Sequence, residues 1–122
     1  MTNIKIEATT QSPAIEFDFE KALISISGKS YPENVNHVYS QLLEAINDYV
    51  KHPKEVTTVN FDWLYYNTAT SKIMIKILLA LKSADTQLNV NWYIKKGFKM
   101  MVEKAELIGE VMDIKVNIIK EE

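Results

Sequence analysis

The chain has 122 residues and a net charge of −2, and its length fits a single domain, which we assign to residues 1–122. All 14 basic residues are lysines, so the guanidinium fork that favours guanine and phosphate recognition is missing, and no nucleic-acid partner is expected. The absence of cysteine excludes disulfides and thiol catalysis. The N-terminus lacks a signal-peptide pattern and the apolar runs are too short for a membrane span, so we expect a cytoplasmic protein without membrane insertion.

The first predicted elements are β-strands. The segment AIEFDF, residues 14–19, alternates apolar and polar residues, and ALISIS, residues 22–27, follows after Glu20 and Lys21. Two strands separated by two residues predict a hairpin, although Glu-Lys is not the preferred turn sequence. A weaker alternation over residues 4–8 allows one more strand before them.

The next segment, residues 35–50, carries a continuous apolar face at helical spacing and predicts the first helix. Its apolar positions are Val35, Val38, Tyr39, Leu42, Leu43, Ile46, Tyr49 and Val50. Two N-terminal caps compete in the sequence. Ser30 with Glu33 has the spacing of a capping box, and Asn34 directly precedes the helix.

The remaining elements follow from the same two periodicities. They are a strand at 55–63, a helix at 68–84, a strand at 88–94, a helix from 98 to 108 that ends near Gly109, and a strand at 114–118. Lys72 and Lys76 mark the narrow polar side of the second helix. The order β-β-α-β-α-β-α-β predicts an α/β fold with a mixed β-sheet, largely parallel in its centre, and helices packed against it.

The sequence shows no catalytic constellation. His37 and His52 fall at opposite ends of the first helix and cannot share a metal ion, and Glu103, Glu106 and Glu110 form an ordinary solvated face. Core filling is predicted for the methionines Met100, Met101 and Met112. No phosphate-binding glycine loop, nucleophile motif or metal-ligand spacing is present, so we expect no enzyme, no metal and no cofactor.

Three hydroxyls, those of Thr68, Thr70 and Ser71, crowd the start of the second helix. The simplest interpretation is that Asn67 or Thr68 caps this helix. The same place also suits a phosphate group, because a helix N-terminus offers free N–H groups and the positive end of the helix dipole. The two roles are compatible in one residue.

Three segments carry a resemblance to a known family. They are SGKSYPENV at 27–35, LYYNTATSK at 64–72 and VNWYIKKG at 90–97, and their order and spacing extend over nearly the whole chain. The sequence resembles the SiaC family of bacterial regulatory phosphoproteins. The resemblance implies a STAS-like fold, of the type found in anti-sigma-factor antagonists, with a phosphorylation site at the start of the second helix.

What the resemblance implies about function is a phosphorylation switch. A histidine-kinase-like serine/threonine kinase modifies the matching threonine, Thr68, with Thr70 and Ser71 as fallbacks, and a PPM-type phosphatase restores it. The unmodified form binds and activates a diguanylate cyclase, which links the switch to cyclic-di-GMP and biofilm formation. The expected partner-binding surface comprises Tyr31, Pro32, Glu33, Asn34, Leu64, Tyr65, Tyr66, Asn67 and Lys72.

One feature departs from the family pattern. Many members are strongly acidic after the Trp-Tyr strand, whereas this chain reads IKKGFKMMVEK at 94–104. The departure leaves the identity of the partner open, and another signalling protein is an alternative to a cyclase. A second alternative is an unphosphorylated STAS-like module that binds a small ligand or serves in assembly.

Overall fold

The computed structural model describes residues 3–121. Its elements are β1 (Ile4–Ile6), β2 (Ala14–Asp18), β3 (Leu23–Ser30), α1 (Val35–Tyr49), β4 (Val56–Tyr66), α2 (Thr68–Lys82), β5 (Gln87–Ile94), α3 (Lys99–Met112) and β6 (Val116–Lys120). All three predicted helices are present, and the weaker strand alternative at the N-terminus forms as β1. No helix within residues 3–121 combines the length and the apolar character that a bilayer crossing requires.

The six strands form one sheet in which spatial order equals chain order, from β1 to β6. The pairs β1–β2 and β2–β3 are antiparallel, and the three remaining pairs are parallel. Each parallel pair is joined by a helix, and right-handed connections that all step in one direction place the three helices on the same face. The carboxyl ends of β3, β4 and β5 therefore meet at one edge of the sheet.

The core lies between this sheet face and the helices, and its centre is aromatic. Trp63 and Trp92 are fully buried, and Phe61 lies against both, with ring centroids 5.9 Å and 5.2 Å away. Tyr66 closes the cluster at 5.4 Å from Trp63. Phe61 and Trp63 are alternate residues of β4, and they face the same side as Trp92 of β5 because alternate strand residues share a face.

The opposite face of the sheet is polar. The amide of Asn91 donates to Asn60 at 3.0 Å, and the amide of Asn117 donates to Asn89 and Asn91, each at 3.0 Å. This asparagine ladder explains the sequence pattern of β5, in which Val90 and its apolar alternates face the helices. The predicted alternation of β5 is confirmed.

A bulge near the end of β4 controls which aromatic residues reach the surface. The β3–β4 register shifts after Gly28, whose φ of 110° suits glycine, and Leu64 becomes an extra residue without a partner. The alternation of β4 therefore reverses. Tyr65 becomes 47% exposed and Tyr66 only 7% exposed.

Two details of the hairpin and of α3 correct the sequence predictions. The hairpin turn extends from Phe19 to Ala22 and is held by the Asp18 carboxylate, which accepts a hydrogen bond from the backbone N–H of Lys21. Helix α3 continues past Gly109 to Met112. Gly109 is a close-packing position within the helix and not its end, since a Cβ there would lie 3.2 Å from a Val116 methyl carbon.

The C-terminal elements also differ from their predicted positions. Ile114 lies in the connection after α3, where its N–H donates to the Gly109 carbonyl, and β6 begins at Val116. Core filling is confirmed for Met101 and Met112, which are buried. It is wrong for Met100, which is 71% exposed because it lies on the side of α3 that no other element covers.

Candidate functional site

The start of α2 lies at the carboxyl edge of the sheet and is capped by Asn67. The Asn67 side-chain oxygen accepts a hydrogen bond from the backbone N–H of Thr70 at 2.9 Å. Of the two caps that the sequence allowed, Asn67 is the one that forms. Thr68 is the first residue of the helix and is exposed, so its hydroxyl is free of the capping role.

Thr70 belongs to a buried hydroxyl network. The Ser30 hydroxyl lies 2.8 Å from the Thr70 hydroxyl and 2.7 Å from the Tyr39 hydroxyl, and the Thr70 hydroxyl also contacts the Ser30 carbonyl. The same carbonyl accepts a hydrogen bond from the N–H of Asn67. The network ties the end of β3 and helix α1 to the first turn of α2, and it fixes the position of Thr68.

This network corrects the capping-box prediction. Ser30 is fully buried at the end of β3 and does not cap α1. Helix α1 is capped by Asn34, whose side-chain oxygen accepts from the N–H of His37 at 3.2 Å. The spacing of Ser30 and Glu33 matches a capping box, but strand pairing with β4 carries Ser30 into the core.

The three candidate hydroxyls therefore occupy three different environments. Thr68 is exposed, Thr70 is fully buried, and Ser71 is half-buried with its hydroxyl donating to the Thr68 carbonyl at 2.6 Å. The Thr68 side chain is accessible from solvent without any rearrangement of the helix. Reaching Thr70 requires the buried network to open.

Lys104 on α3 lies beside this helix start. Its ammonium group is 4.6 Å from the centre of the Tyr66 ring and 5.7 Å from that of Tyr65, a cation–π arrangement. Lys104 is not recognisable as a site residue from the sequence, because it is 36 positions from Thr68 and only the packing of α3 beside α2 brings the two together. Lys72, a predicted surface residue, lies one turn further along the exposed side of α2.

A groove of about 310 Å³ runs between α2 and α3, with Thr68 and Lys104 among its lining residues. We refer to it as the α2–α3 groove. Its lining residues are Tyr66, Asn67, Thr68, Ser71, Ile75, Lys104, Leu107, Ile108 and Val111. Leu107 and Val111 are 58% and 61% exposed, so the groove is an uncovered apolar surface with a hydroxyl and an ammonium group at one end.

A second cavity, of about 240 Å³, adjoins the groove and shares Lys104 with it. Its other lining residues are Leu64, Tyr65, Phe98, Met100 and Met101. The exposed ring of Tyr31 packs edge-on against Tyr65 with centroids 6.1 Å apart. The predicted surface residues Tyr31 and Tyr65 thus lie together at the carboxyl edge of the sheet.

The other predicted surface residues in the loop before α1 differ in their exposure and in their contacts. Pro32 is half-buried, Glu33 is exposed, and the Asn34 side chain is engaged in capping α1. Tyr66 lines the groove while remaining almost entirely buried. No cluster of three or more potential metal ligands occurs within residues 3–121.

Burial raises the pKa of Tyr66 to about 12. The unfolded chain loses this proton near pH 10, so stability is lost as the pH rises from 10 to 12. We expect Tyr66→Phe to reduce this loss by about 1.4 kcal/mol per pH unit. Urea unfolding of both proteins across this range measures the difference, and equal slopes would contradict it.

The chain can be assigned to a family by comparison with known proteins. The model of the SiaC family regulatory phosphoproteins matches residues 6–121. The chain belongs to the SiaC family. A protein of uncharacterized function from Pseudomonas aeruginosa (strain UCBPP-PA14) is 27% identical over 113 residues, which is 90% of either chain.

Solved SiaC structures share the fold. The crystal structure of apo-SiaC from Pseudomonas aeruginosa has a TM-score of 0.88 at 25% identity, covering 98% of this chain and 99% of that one. A chain of the crystal structure of the diguanylate cyclase SiaD in complex with its activator SiaC, also from Pseudomonas aeruginosa, has a TM-score of 0.90 at 25% identity. That match covers 97% of this chain and 99% of the other. The predicted SiaC family and its mixed α/β fold class are confirmed.

Proposed function

We propose that this SiaC-family chain is a cytoplasmic binding protein controlled by phosphorylation of Thr68. The unmodified form binds and activates a partner, and phosphorylation by a serine/threonine kinase releases it. A PPM-type phosphatase returns the protein to the binding form. The chain acts through binding and has no catalytic role of its own.

The exposure of Thr68 at the rim of the α2–α3 groove carries this proposal. The hydroxyl is accessible to a kinase, and it borders an uncovered apolar surface that suits a protein partner. A phosphate at this position adds a charge of about −1.5 to −2 next to that surface. Binding can therefore change without any change in the fold.

A diguanylate cyclase is the favoured partner. The solved SiaC of Pseudomonas aeruginosa is the activator of the cyclase SiaD and forms a complex with it. The present chain has the same fold over nearly its full length. As part of the proposal, this chain also binds a diguanylate cyclase and acts in cyclic-di-GMP signalling.

The size of the groove supports one rival function. A volume of about 310 Å³ is at the lower end of the range that accommodates small molecules. A STAS-like module that binds a small ligand or serves in assembly would use this groove without phosphorylation. Such a protein would carry no phosphate at Thr68, and its ligand would raise the melting temperature by mass action.

Tandem mass spectrometry of the protein from its native cells, with phosphatases inhibited, tests the modification. We expect phosphate on Thr68. Phosphate on Ser71 alone would move the switch to that residue, and an unmodified segment under several growth conditions would favour the rival module.

Capture of a purified cyclase by immobilised variants tests the switch itself. We expect Thr68→Asp to weaken capture by about tenfold or more, since it adds a negative charge at the groove, and Thr68→Ala to retain it. Stimulation of cyclase turnover is the second readout. Equal capture by both variants would refute the switch.

A further inference from the structure

A strongly basic cavity lies where β5 leads into α3. It has a volume of about 220 Å³, and no described residue lines both this cavity and the α2–α3 groove. Its lining includes four lysines and one glutamate, which are Lys95, Lys96, Lys99, Lys120 and Glu121. These five residues carry a net charge of +3 in a chain whose net charge is −2, so the rest of the chain carries −5. Positive charge is therefore concentrated at this one place.

A tight turn holds three of these lysines close together. The backbone N–H of Phe98 donates to the Lys95 carbonyl at 3.1 Å, and Gly97, the third residue of the turn, has a φ of 88°. This combination is typical of a type II turn, whose third residue needs a positive φ. Lys96 occupies the second position of the turn, and Lys99 begins α3 directly after it. The backbone that carries these lysines is therefore ordered in the unliganded protein.

Strand β6 brings the fourth lysine to the cavity. Lys120 is paired with Ile94 in the parallel register of β5 and β6, and the N–H of Glu121 donates to the Ile94 carbonyl at 2.8 Å. Lys95 follows Ile94 directly in the chain. Sheet pairing therefore places Lys120 beside the turn, although the two are distant in sequence.

Nearby carboxylates compensate only part of this charge. Lys95 lies 3.6 Å from Asp62 in a half-exposed ion pair, and Glu121 is itself part of the cavity lining. The other three lysines form no ion pair within residues 3–121. Like charges around one cavity repel each other, and a multiply charged anion bound between them would replace this repulsion by attraction.

The start of α3 adds to the positive potential of the cavity. Phe98 precedes the helix, and its side chain makes no capping hydrogen bond to any described residue. Residues 99–102, the first turn, contain Lys99 and no acidic residue, although the positive end of a helix dipole favours negative charge. An anion held by the lysines would supply the missing negative charge at this helix end.

We propose that this cavity binds the phosphate group of an anion that carries at least two negative charges. Lysine ammonium groups bind phosphate as point charges and do not need the guanidinium fork that the chain lacks. A volume of about 220 Å³ suits a phosphate or pyrophosphate group better than a large organic ligand. The Phe98 ring, 38% exposed, also lines the cavity and offers an apolar contact to the rest of the ligand. The inference does not depend on phosphorylation of Thr68.

Inorganic pyrophosphate is the probe for a free phosphate compound. It is titrated into the ¹⁵N-labelled full chain at constant ionic strength, and NMR follows the amide signals of Gly97 and Gly28. We expect a saturable shift of the Gly97 signal, because Gly97 lines the cavity, and no shift of Gly28, which lies in β3 outside it. The affinity should fall as the salt concentration rises.

Two double variants that change the net charge equally locate the site. Lys96→Gln with Lys99→Gln should weaken pyrophosphate binding by about tenfold or more. Lys21→Gln with Lys54→Gln, at exposed lysines on the opposite edge of the sheet, should change it by less than about twofold. Glu121→Gln removes the carboxylate from the lining and should tighten binding. Circular dichroism confirms that each variant is folded before its affinity is used.

Vesicles test whether the phosphate belongs to a lipid headgroup. The full chain is cosedimented with phosphatidylcholine vesicles that contain or lack phosphatidic acid, whose headgroup is a phosphate monoester. Binding to the phosphatidic acid vesicles that Lys96→Gln with Lys99→Gln abolishes would support the site and assign it to a lipid surface. Pyrophosphate binding without vesicle binding would support the site and assign it to a free phosphate compound.

Two results overturn the inference. The first is the absence of both a saturable pyrophosphate response and binding to the phosphatidic acid vesicles. The second is equal weakening of binding in the two double variants, which would show that the protein responds to net charge and not to this cavity.

Discussion

Replacing Thr70 with aspartate is expected to destabilise the protein by about 3 kcal/mol, because it places a carboxylate in a fully buried site. The favourable interaction of a carboxylate with the N-terminus of α2 is worth only about 0.3–1 kcal/mol and does not compensate. Thr68→Asp places the same charge in solvent, and we expect it to change the free energy of unfolding by no more than about 0.5 kcal/mol. Urea unfolding monitored by circular dichroism measures both values.

Thr70→Val is the matched control for this pair. It keeps the shape of the side chain and removes the hydroxyl, and the Ser30 hydroxyl retains Tyr39 as a partner. We expect a loss of about 1 kcal/mol. If Thr70→Asp unfolded at the same urea concentration as the wild type, the buried network would be open in solution and Thr70 would regain its place as a phosphorylation candidate.

Replacing Trp92 with alanine is expected to cost about 3–5 kcal/mol of stability, the range for large aromatic deletions in cores. Trp92 is fully buried, with its ring centroid 5.2 Å from that of Phe61 and 6.1 Å from that of Tyr66. Its indole N–H has no hydrogen-bond partner among the described residues, so the substitution leaves no polar group behind. The cost is therefore one of cavity formation and lost apolar burial.

Tyr93→Ala is the control for Trp92→Ala. Tyr93 is the next residue of β5, and it is 38% exposed on the opposite face of the sheet. We expect it to cost less than about 1 kcal/mol. Denaturant unfolding compares the two variants, and similar costs would show that the aromatic cluster contributes less to stability than its burial indicates.

Trp92→Ala also has a functional consequence. The Tyr66 ring packs against Trp92, and it also makes the cation–π contact with the Lys104 ammonium group. Loss of the Trp92 indole removes a packing contact that holds the Tyr66 ring in position for Lys104. At a temperature where the variant remains folded, we expect weaker partner capture than in Tyr93→Ala, even though neither substitution changes a groove residue.

The sequence by itself determined most of the architecture. Helical spacing identified all three helices, and strand alternation identified the sheet-forming segments, because each element must bury one face. The same helical pattern placed Thr68 at the start of α2. These features are local in the chain, and a pattern of a few residues is sufficient to specify them.

The tertiary structure alone decided how the site is assembled. Periodicity shows which face of an element is buried but does not show which element covers it. The burial of Thr70 against Ser30 depends on the pairing of β3 with β4, and the bulge in that pairing turns Tyr65 outward. The proximity of Lys104 to Thr68 depends on α3 packing beside α2, since contacts between residues distant in sequence are set by the relative placement of whole elements.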